Sequence, residues 1–147
     1  MSKRHTLAAL ASAVVFLQAH PIMAQDQIVK QVHFAKGSSG SIINDKIKGY
    51  QFIDYKLVAK AGQIMTVDLK TSNRSNYFNI LQPGVQDEAF FIGQNEGEHF
   101  SGALPANGEY TIRVYLMRSA ARRNEAANFT LNVALPNPLL QPVTMPK

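Results

Sequence analysis

Apolar and polar residues alternate strictly in several short runs, and this pattern constrains the fold more than any other feature of the sequence. The clearest runs cover residues 65–69, 112–116 and 129–133, in which every second residue is apolar. Strict alternation over five or more residues is typical of a strand with one buried face. Because no segment of the sequence shows sustained helical periodicity, the chain is expected to be all-β.

Pairs of turn-forming residues separate the runs: Ala61-Gly62, Pro83-Gly84, Glu96-Gly97 and Asn107-Gly108. Glycine supplies the positive φ angle that such turns require. Six or more short strands joined by turns predict an antiparallel β-sandwich in a single domain, which we place at residues 25–135. A shift in the phase of the apolar positions within residues 50–59 predicts a bulge. The composition of residues 118–126 predicts a short helical turn.

The start of the chain, over residues 1–24, resembles an export signal. Lys3 and Arg4 give a positive start, residues 7–17 form an uncharged apolar run, and Ala24 is a small residue suited to the position before a cleavage point. The apolar run is shorter than the roughly 20 residues that a membrane-spanning helix needs. We therefore expect a cleaved signal peptide over residues 1–24, a periplasmic protein without membrane insertion, and a proline-rich tail over residues 136–147.

The sequence contains no arrangement of residues that is typical of an enzyme active site. There is no cysteine, and the histidines beyond the signal, His33 and His99, lack metal-ligand spacing. Asp87 and Glu88 are adjacent, whereas a glycosidase needs two carboxylates on separate elements. We expect no catalytic residue, metal or cofactor, and a small secreted enzyme is the least favoured of the alternatives.

The segment from Arg113 to Arg123 departs from the background. Four arginines fall in this stretch, and no acidic residue occurs between Glu109 and Glu125. Arginine presents a planar fork of donors that matches a carboxylate. The segment is either a solvated loop or a projection that enters an acidic cleft. Nucleic acid is not expected as a partner, because loss of Lys3 and Arg4 from the 15 basic residues, against 10 acidic ones, leaves a net charge of only +3.

From about Val32 to Leu135 the chain resembles the bacterial periplasmic inhibitors of g-type lysozyme. The order and spacing of several sequence blocks carry this resemblance, and the arginine segment is its most specific part. The blocks are Phe34-Ala35-Lys36-Gly37-Ser38-Ser39, Ile47-Lys48-Gly49-Tyr50, Ala59-Lys60-Ala61-Gly62-Gln63, Leu104-Pro105-Ala106-Asn107-Gly108-Glu109-Tyr110, and Arg113-Val114 followed by Arg118, Ala121 and Arg122.

The resemblance implies a β-sandwich that inhibits lysozyme by inserting loops into the substrate cleft. Inhibitor families of this kind share a Ser-Gly-(x)-x-Tyr motif, which Asn107, Gly108 and Tyr110 match here with asparagine in place of serine. Tyr50, Arg118 and Arg122 match further contact positions of the family. Some blocks also resemble a β-sandwich accessory domain of secreted peptidases, so the alternative is a carbohydrate- or protein-binding module of the envelope without inhibitory activity.

Overall fold

The structure, a computed structural model, describes residues 26–136, and strands supply most of its core. The elements in chain order are β1 (Gln27–Gln31), β2 (Gly40–Lys48), β3 (Phe52–Ala59), β4 (Ile64–Thr71), β5 (Asn76–Leu81), β6 (Ala89–Ile92), α1 (Gly93–Glu96), β7 (His99–Ala103), β8 (Gly108–Leu116), α2 (Arg118–Arg122) and β9 (Ala126–Ala134). The prediction of an all-β fold is confirmed. The predicted signal peptide and nearly all of the predicted tail lie outside the described residues.

Two sheets pack face to face. One has five strands in the order β1-β3-β8-β5-β6, and the other has four in the order β2-β9-β4-β7. Within the described residues all pairs are antiparallel except β1 with β3. That pair is parallel because the chain crosses to the other sheet in β2 and returns in β3. The chain direction therefore reverses twice between the two strands.

The core lies between the inner faces of the two sheets. The apolar residues of all three alternating runs are buried there: Met65, Val67, Leu69, Ile112, Val114, Leu116, Phe129, Leu131 and Val133. Full burial of one such side chain contributes about 1.5–3 kcal/mol. Packing of this kind has to stabilise a chain that contains no cysteine.

Two local expectations need correction. β3 pairs with β8 in unbroken register from Phe52 to Ala59, so the predicted bulge is absent. The apparent phase shift arises because Phe52 lies on the outer face of the sheet, in contact with Arg113, while Ile53, Tyr55 and Leu57 point into the core. The helical turn begins as predicted but ends at Arg122, since Asn124 adopts a positive φ of 54° and β9 begins two residues later.

No helix within residues 26–136 has the length and apolar character that a membrane span requires.

Candidate partner-binding site

A groove of about 500 Å³ lies between the outer face of the five-stranded sheet and helix α2. We call it the α2 groove, and the end of the sandwich that carries it the α2 end. Aromatic, amide and guanidinium groups line it, among them Tyr50, Phe52, Asn79, Arg113, Tyr115 and Arg118. This mixture of rigid aromatic surface and directional donors is typical of protein-binding hot spots.

The pairing of three strands produces the floor of the groove. Alternation along β8 sends Ile112 and Val114 into the core and Arg113 and Tyr115 to the outer face. In the β3–β8 register Tyr115 lies opposite Phe52, and on the other side β5 places Tyr77 beside it, with ring centroids 6.4 Å apart. Tyr115 therefore faces outward beside Arg113.

Arg113 is held rigidly on this floor. Its Nε donates to Asp54 Oδ1 at 2.7 Å and its Nη2 donates to Oδ2 at 2.9 Å, while Gln27 also donates to Oδ2 at 2.8 Å. The guanidinium carbon lies 4.8 Å from the centroid of the Phe52 ring. A bidentate ion pair and a stacking contact together fix both the position and the plane of the guanidinium group.

The ion pair also sets the charge state of the two groups. The Asp54 side chain is only 1% exposed, and burial alone would raise the pKa of its carboxyl. Hydrogen bonds from Arg113 and Gln27 and the nearby positive charges outweigh burial, so the pKa of Asp54 lies below its ordinary value. The hydrogen bond to Asp54 in turn raises the pKa of Arg113. The carboxylate and the guanidinium therefore both stay charged at neutral pH.

Arg113 was singled out from the sequence, but its ion pair with Asp54 was not predicted. The available signal was Asp54 itself, a carboxylate in the middle of a strand rich in aromatic and branched residues. A charge in such a position requires a partner, because an unpaired buried charge is strongly destabilising. The identity of that partner depends on the strand register, which the sequence does not supply.

Helix α2 forms one rim of the groove. Ala120 and Ala121 are buried, so Arg118 and Arg122 point away from the core. Both arginines are exposed, and neither forms a salt bridge with any residue between 26 and 136. Arg123 differs, since its Nη2 lies 3.0 Å from Glu125. The two arginines singled out by the sequence are thus available to a partner.

Tyr50 joins this rim through the turn between β2 and β3. Gly49 has a positive φ of 59°, and a Cβ there would lie 2.8 Å from Asn124 Oδ1. The Gly49 amide donates to the carbonyl of Glu125 at 2.9 Å, which ties the turn to the segment that follows α2. The structure therefore brings together three of the predicted site residues, namely Tyr50, Arg118 and Arg122, at the α2 end.

The other three predicted site residues lie at the opposite end of the sandwich, which we call the far end. Gly108 begins β8 and pairs with Ala59, whereas Tyr115 near the end of β8 pairs with Phe52. The full length of strand β8 therefore lies between Gly108 and the start of α2. The residues that match the Ser-Gly-(x)-x-Tyr motif are remote from Tyr50 and Arg118.

Internal contacts already occupy the motif residues. Tyr110 is 0% exposed, and its hydroxyl donates to the carbonyl of Ala106 at 2.8 Å and accepts from the Ala106 amide at 3.0 Å. Asn107 is exposed, but its Oδ1 accepts a hydrogen bond from the Ala61 amide at 2.8 Å. A Cβ on Gly108 would lie 2.7 Å from Cβ of Pro83. In the free protein these bonds shape the loop and leave the Tyr110 side chain buried, and the expected contact through Tyr110 stays a prediction.

Within the described part of the chain no three His, Asp or Glu side chains are close enough together to hold a metal ion. His99 instead lies beside a single carboxylate, with Nδ1 2.5 Å from Asp68.

No protein-family model matches the chain. Among solved structures, the chain is similar to a periplasmic lysozyme inhibitor of g-type lysozyme from Aeromonas hydrophila, with 39% identity and a TM-score of 0.72 over 77% of this chain and 100% of that one. It is also 29% identical over 106 residues to the inhibitor of g-type lysozyme of Escherichia coli strain K12, which covers 71% of this chain and 78% of the relative.

A third similarity concerns the fold alone. The pre-peptidase C-terminal domain of a collagenase from Bacillus anthracis matches with a TM-score of 0.52 at 13% identity, over 75% of this chain and 96% of that one. At this identity only the sandwich architecture is shared. The similarity to the Aeromonas hydrophila lysozyme inhibitor, in contrast, covers the full length of that protein at 39% identity. The chain therefore belongs to the family of bacterial periplasmic inhibitors of g-type lysozyme.

Proposed function

We propose that this protein inhibits g-type lysozyme in the periplasm, and that it does so by covering the substrate cleft with its α2 end rather than by catalysing a reaction. The observation that carries the proposal is the grouping of Tyr50, Arg118 and Arg122 beside the α2 groove, with both arginines exposed and without a salt bridge to any described residue. The names of the relatives from Aeromonas hydrophila and Escherichia coli support the same conclusion.

The chemistry of the α2 end suits a lysozyme cleft. Glycoside hydrolysis commonly depends on carboxyl groups in a partly desolvated site. A guanidinium group that enters such a cleft pairs with a carboxylate through two parallel hydrogen bonds. Arg118 and Arg122 are one helical turn apart and so act from one side of α2, while Tyr50 adds rigid apolar area. Substrate would then be excluded by occupation of the cleft.

The groove extends this contact surface. Arg113 and Tyr115 form a floor next to the Arg118 rim, and we propose that a projecting part of the enzyme packs against them. Asn107, Gly108 and Tyr110 have a supporting role in this scheme, because strand β8 carries them to the far end. The inserting element is therefore α2 with the turn at Tyr50, and the loop that carries the Ser-Gly-(x)-x-Tyr match stays outside the interface.

The deciding experiment measures residual g-type lysozyme activity on peptidoglycan in the presence of purified protein, with c-type lysozyme in parallel. We expect loss of the g-type activity at near-equimolar protein and little effect on the c-type enzyme. If neither enzyme is inhibited, the proposal fails and a non-inhibitory binding module becomes the better interpretation. If the protein alone cleaves peptidoglycan, the non-enzymatic assignment fails.

A further inference from the structure

Positive charge is concentrated around the α2 end well beyond α2 itself. Lys46 and Lys48 come from the last residues of β2, Lys70 comes from the end of β4, and Arg74 lies in the turn that follows. β2 and β4 both run toward this end, since Lys48 pairs with Ala126 directly after α2, and Ser75 accepts a hydrogen bond from the Met117 amide. These four cations therefore lie toward the same end of the sandwich as Tyr50, Arg118 and Arg122, with Lys46 and Lys70 on the outer face of the four-stranded sheet.

All four cations are exposed, and none forms a salt bridge to an acidic group among residues 26–136. Of the acidic groups near them, Asp45 is paired with Lys30 and Glu125 with Arg123. Asp26, beside Phe52, and Glu98, beside Leu69, are exposed and form no salt bridge among the described residues. Burial would raise the pKa of Asp45, but hydrogen bonds from Lys30 and Tyr55 outweigh burial and lower it, so this pair is formed at neutral pH.

The outer face of the four-stranded sheet continues this surface as a polar one. A shallow depression there is lined by Asn44, Lys46, Lys70, Asn128 and Thr130, and Thr130 donates to Asn44 at 2.7 Å. In the strand register the polar residues Asn128 and Thr130 of β9 lie between the two lysines, so the surface is suited to a hydrated, charged partner.

The far end differs from the α2 end in the balance of its charges. Its exposed charges have both signs, because Lys36 and Lys60 are offset by Asp87, Glu88 and Glu109. The α2 end also carries the exposed acidic residues Asp26 and Glu98, but its exposed lysines and arginines outnumber them, so the excess of positive charge is a property of the α2 end.

We infer that the lysozyme recognised by this protein carries an acidic surface outside its cleft, and that Lys46, Lys48, Lys70 and Arg74 act on that surface to speed and select the encounter. This inference rests on the proposed inhibition of g-type lysozyme and adds the class of target, namely enzymes with an acidic cleft rim. Charges at the rim of an interface change the association rate and its salt dependence, whereas groups buried in the contact change the dissociation rate. The four cations belong to the first kind, and Arg118 and Arg122 to the second.

The test compares two double variants with equal change in charge. Lys46→Glu with Lys70→Glu replaces two of the four cations by carboxylates and so cancels the positive charge of the patch, and Lys36→Glu with Lys60→Glu is the matched control at the far end. Association and dissociation rates with a g-type lysozyme of acidic cleft rim are measured between about 20 mM and about 500 mM NaCl, where the screening length falls from roughly 20 Å to about 4 Å. We expect the patch variant to associate about tenfold more slowly at low salt, to converge on wild type at high salt, and to dissociate at a rate within about twofold of wild type. The control should stay within about twofold of wild type in both rates.

Several outcomes would overturn the inference. Equal slowing of both variants would mean that only net charge matters. A faster dissociation with unchanged association would make the lysines ordinary contacts. Lysine-dependent binding to vesicles rich in anionic phospholipid, without slower association with lysozyme, would assign the patch to a membrane surface. In each case wild type still inhibits the enzyme, so the proposed function stands; if wild type does not bind g-type lysozyme at all, the proposed function fails together with the inference.

Discussion

Arg113 and Arg118 are five positions apart, yet their surroundings give them different roles. Arg113 forms two hydrogen bonds to a buried carboxylate and stacks on Phe52, so it is part of the folded scaffold. Arg118 is exposed on α2 and has no salt bridge to another described residue. Loss of Arg113 would leave Asp54 as an unpaired buried charge. Loss of Arg118 leaves nothing unsatisfied in the free protein, so its effect should appear only on binding.

The double variant Arg118→Ala with Arg122→Ala should weaken binding to g-type lysozyme by at least about 2 kcal/mol, as is usual for hot-spot residues. The free energy of unfolding should change by no more than about 0.5 kcal/mol, because both side chains are exposed. Calorimetric titration and urea unfolding measure the two quantities. Wild-type affinity would show that the arginines are not contacts, and a large loss of stability would show that they are structural.

Asp54→Asn should lower the free energy of unfolding by about 2 kcal/mol at pH 7, the scale of hydrogen bonds to a charged group. The pKa of Asp54 is lowered from 3.8 in the folded state. Its ionised form therefore stabilises the fold above about pH 4, and this contribution is lost as the pH falls through the folded pKa. Urea unfolding should show a difference between wild type and variant that is constant from pH 5 to 7 and shrinks below pH 4. Glu88→Gln, at an exposed position, is the control; a pH-independent difference for Asp54→Asn would contradict the ion-pair account.

At the scale of elements, the loop before β8 is held in place by a residue of β8 itself. Tyr110 lies in the core and bonds both the amide and the carbonyl of Ala106 through its hydroxyl. Asn107 bonds the Ala61 amide and so joins this loop to the β3–β4 turn. These bonds account for Asn107 and Tyr110 at these positions without any reference to a partner. The sequence match to the inhibitor motif is therefore compatible with a purely structural role.

Tyr110→Phe tests that role. Removal of the hydroxyl leaves two backbone groups of Ala106 without their partner, which should lower the free energy of unfolding by about 1–3 kcal/mol. Affinity for g-type lysozyme should stay within about twofold of wild type, since strand β8 separates this loop from Arg118. Thermal unfolding and an inhibition titration of the same preparation provide both values. A strong loss of inhibition by a variant that remains folded would show that the loop contacts lysozyme after all.

The elements differ in how far the sequence could predict them. Alternation was sufficient for β4, β8 and β9, because one face of each strand is apolar and the other polar. The separation of the two halves of the site was also present in the sequence, since an alternating strand lies between Asn107 and Arg118 and a strand carries its two flanking loops to opposite ends. The ion pair between Asp54 and Arg113 was not predictable. It joins residues 59 positions apart and depends on the register of the two strands that carry them. The parallel pairing of β1 likewise depends on which sheet each strand joins.

At the scale of the whole molecule, the two sheets share one core and are also joined by a polar contact. Tyr55 of the five-stranded sheet donates to Asp45 of the four-stranded sheet at 2.8 Å, and Lys30 lies 2.5 Å from the same carboxylate. Burial and the neighbouring carboxylate raise the pKa of Tyr55, so its hydroxyl stays protonated as the donor. Because neither sheet can bury its apolar face without the other, we expect the domain predicted at residues 25–135 to unfold as one unit.

Tyr55→Phe should therefore move the whole unfolding transition without splitting it. Loss of a hydrogen bond to a charged group should lower the free energy of unfolding by about 1.5–3 kcal/mol. Far-ultraviolet circular dichroism reports the strands, and near-ultraviolet dichroism reports tyrosine packing in a chain that has no tryptophan. The two signals should give coincident transitions for wild type and variant, with the same denaturant dependence.

Tyr77→Phe on the outer face is the matched control and should change little, because its ring is partly exposed and lies outside the core. If the two signals separate in wild type, the sheets unfold independently and the single-domain prediction is wrong; if they separate only in Tyr55→Phe, the Tyr55–Asp45 contact is what couples them.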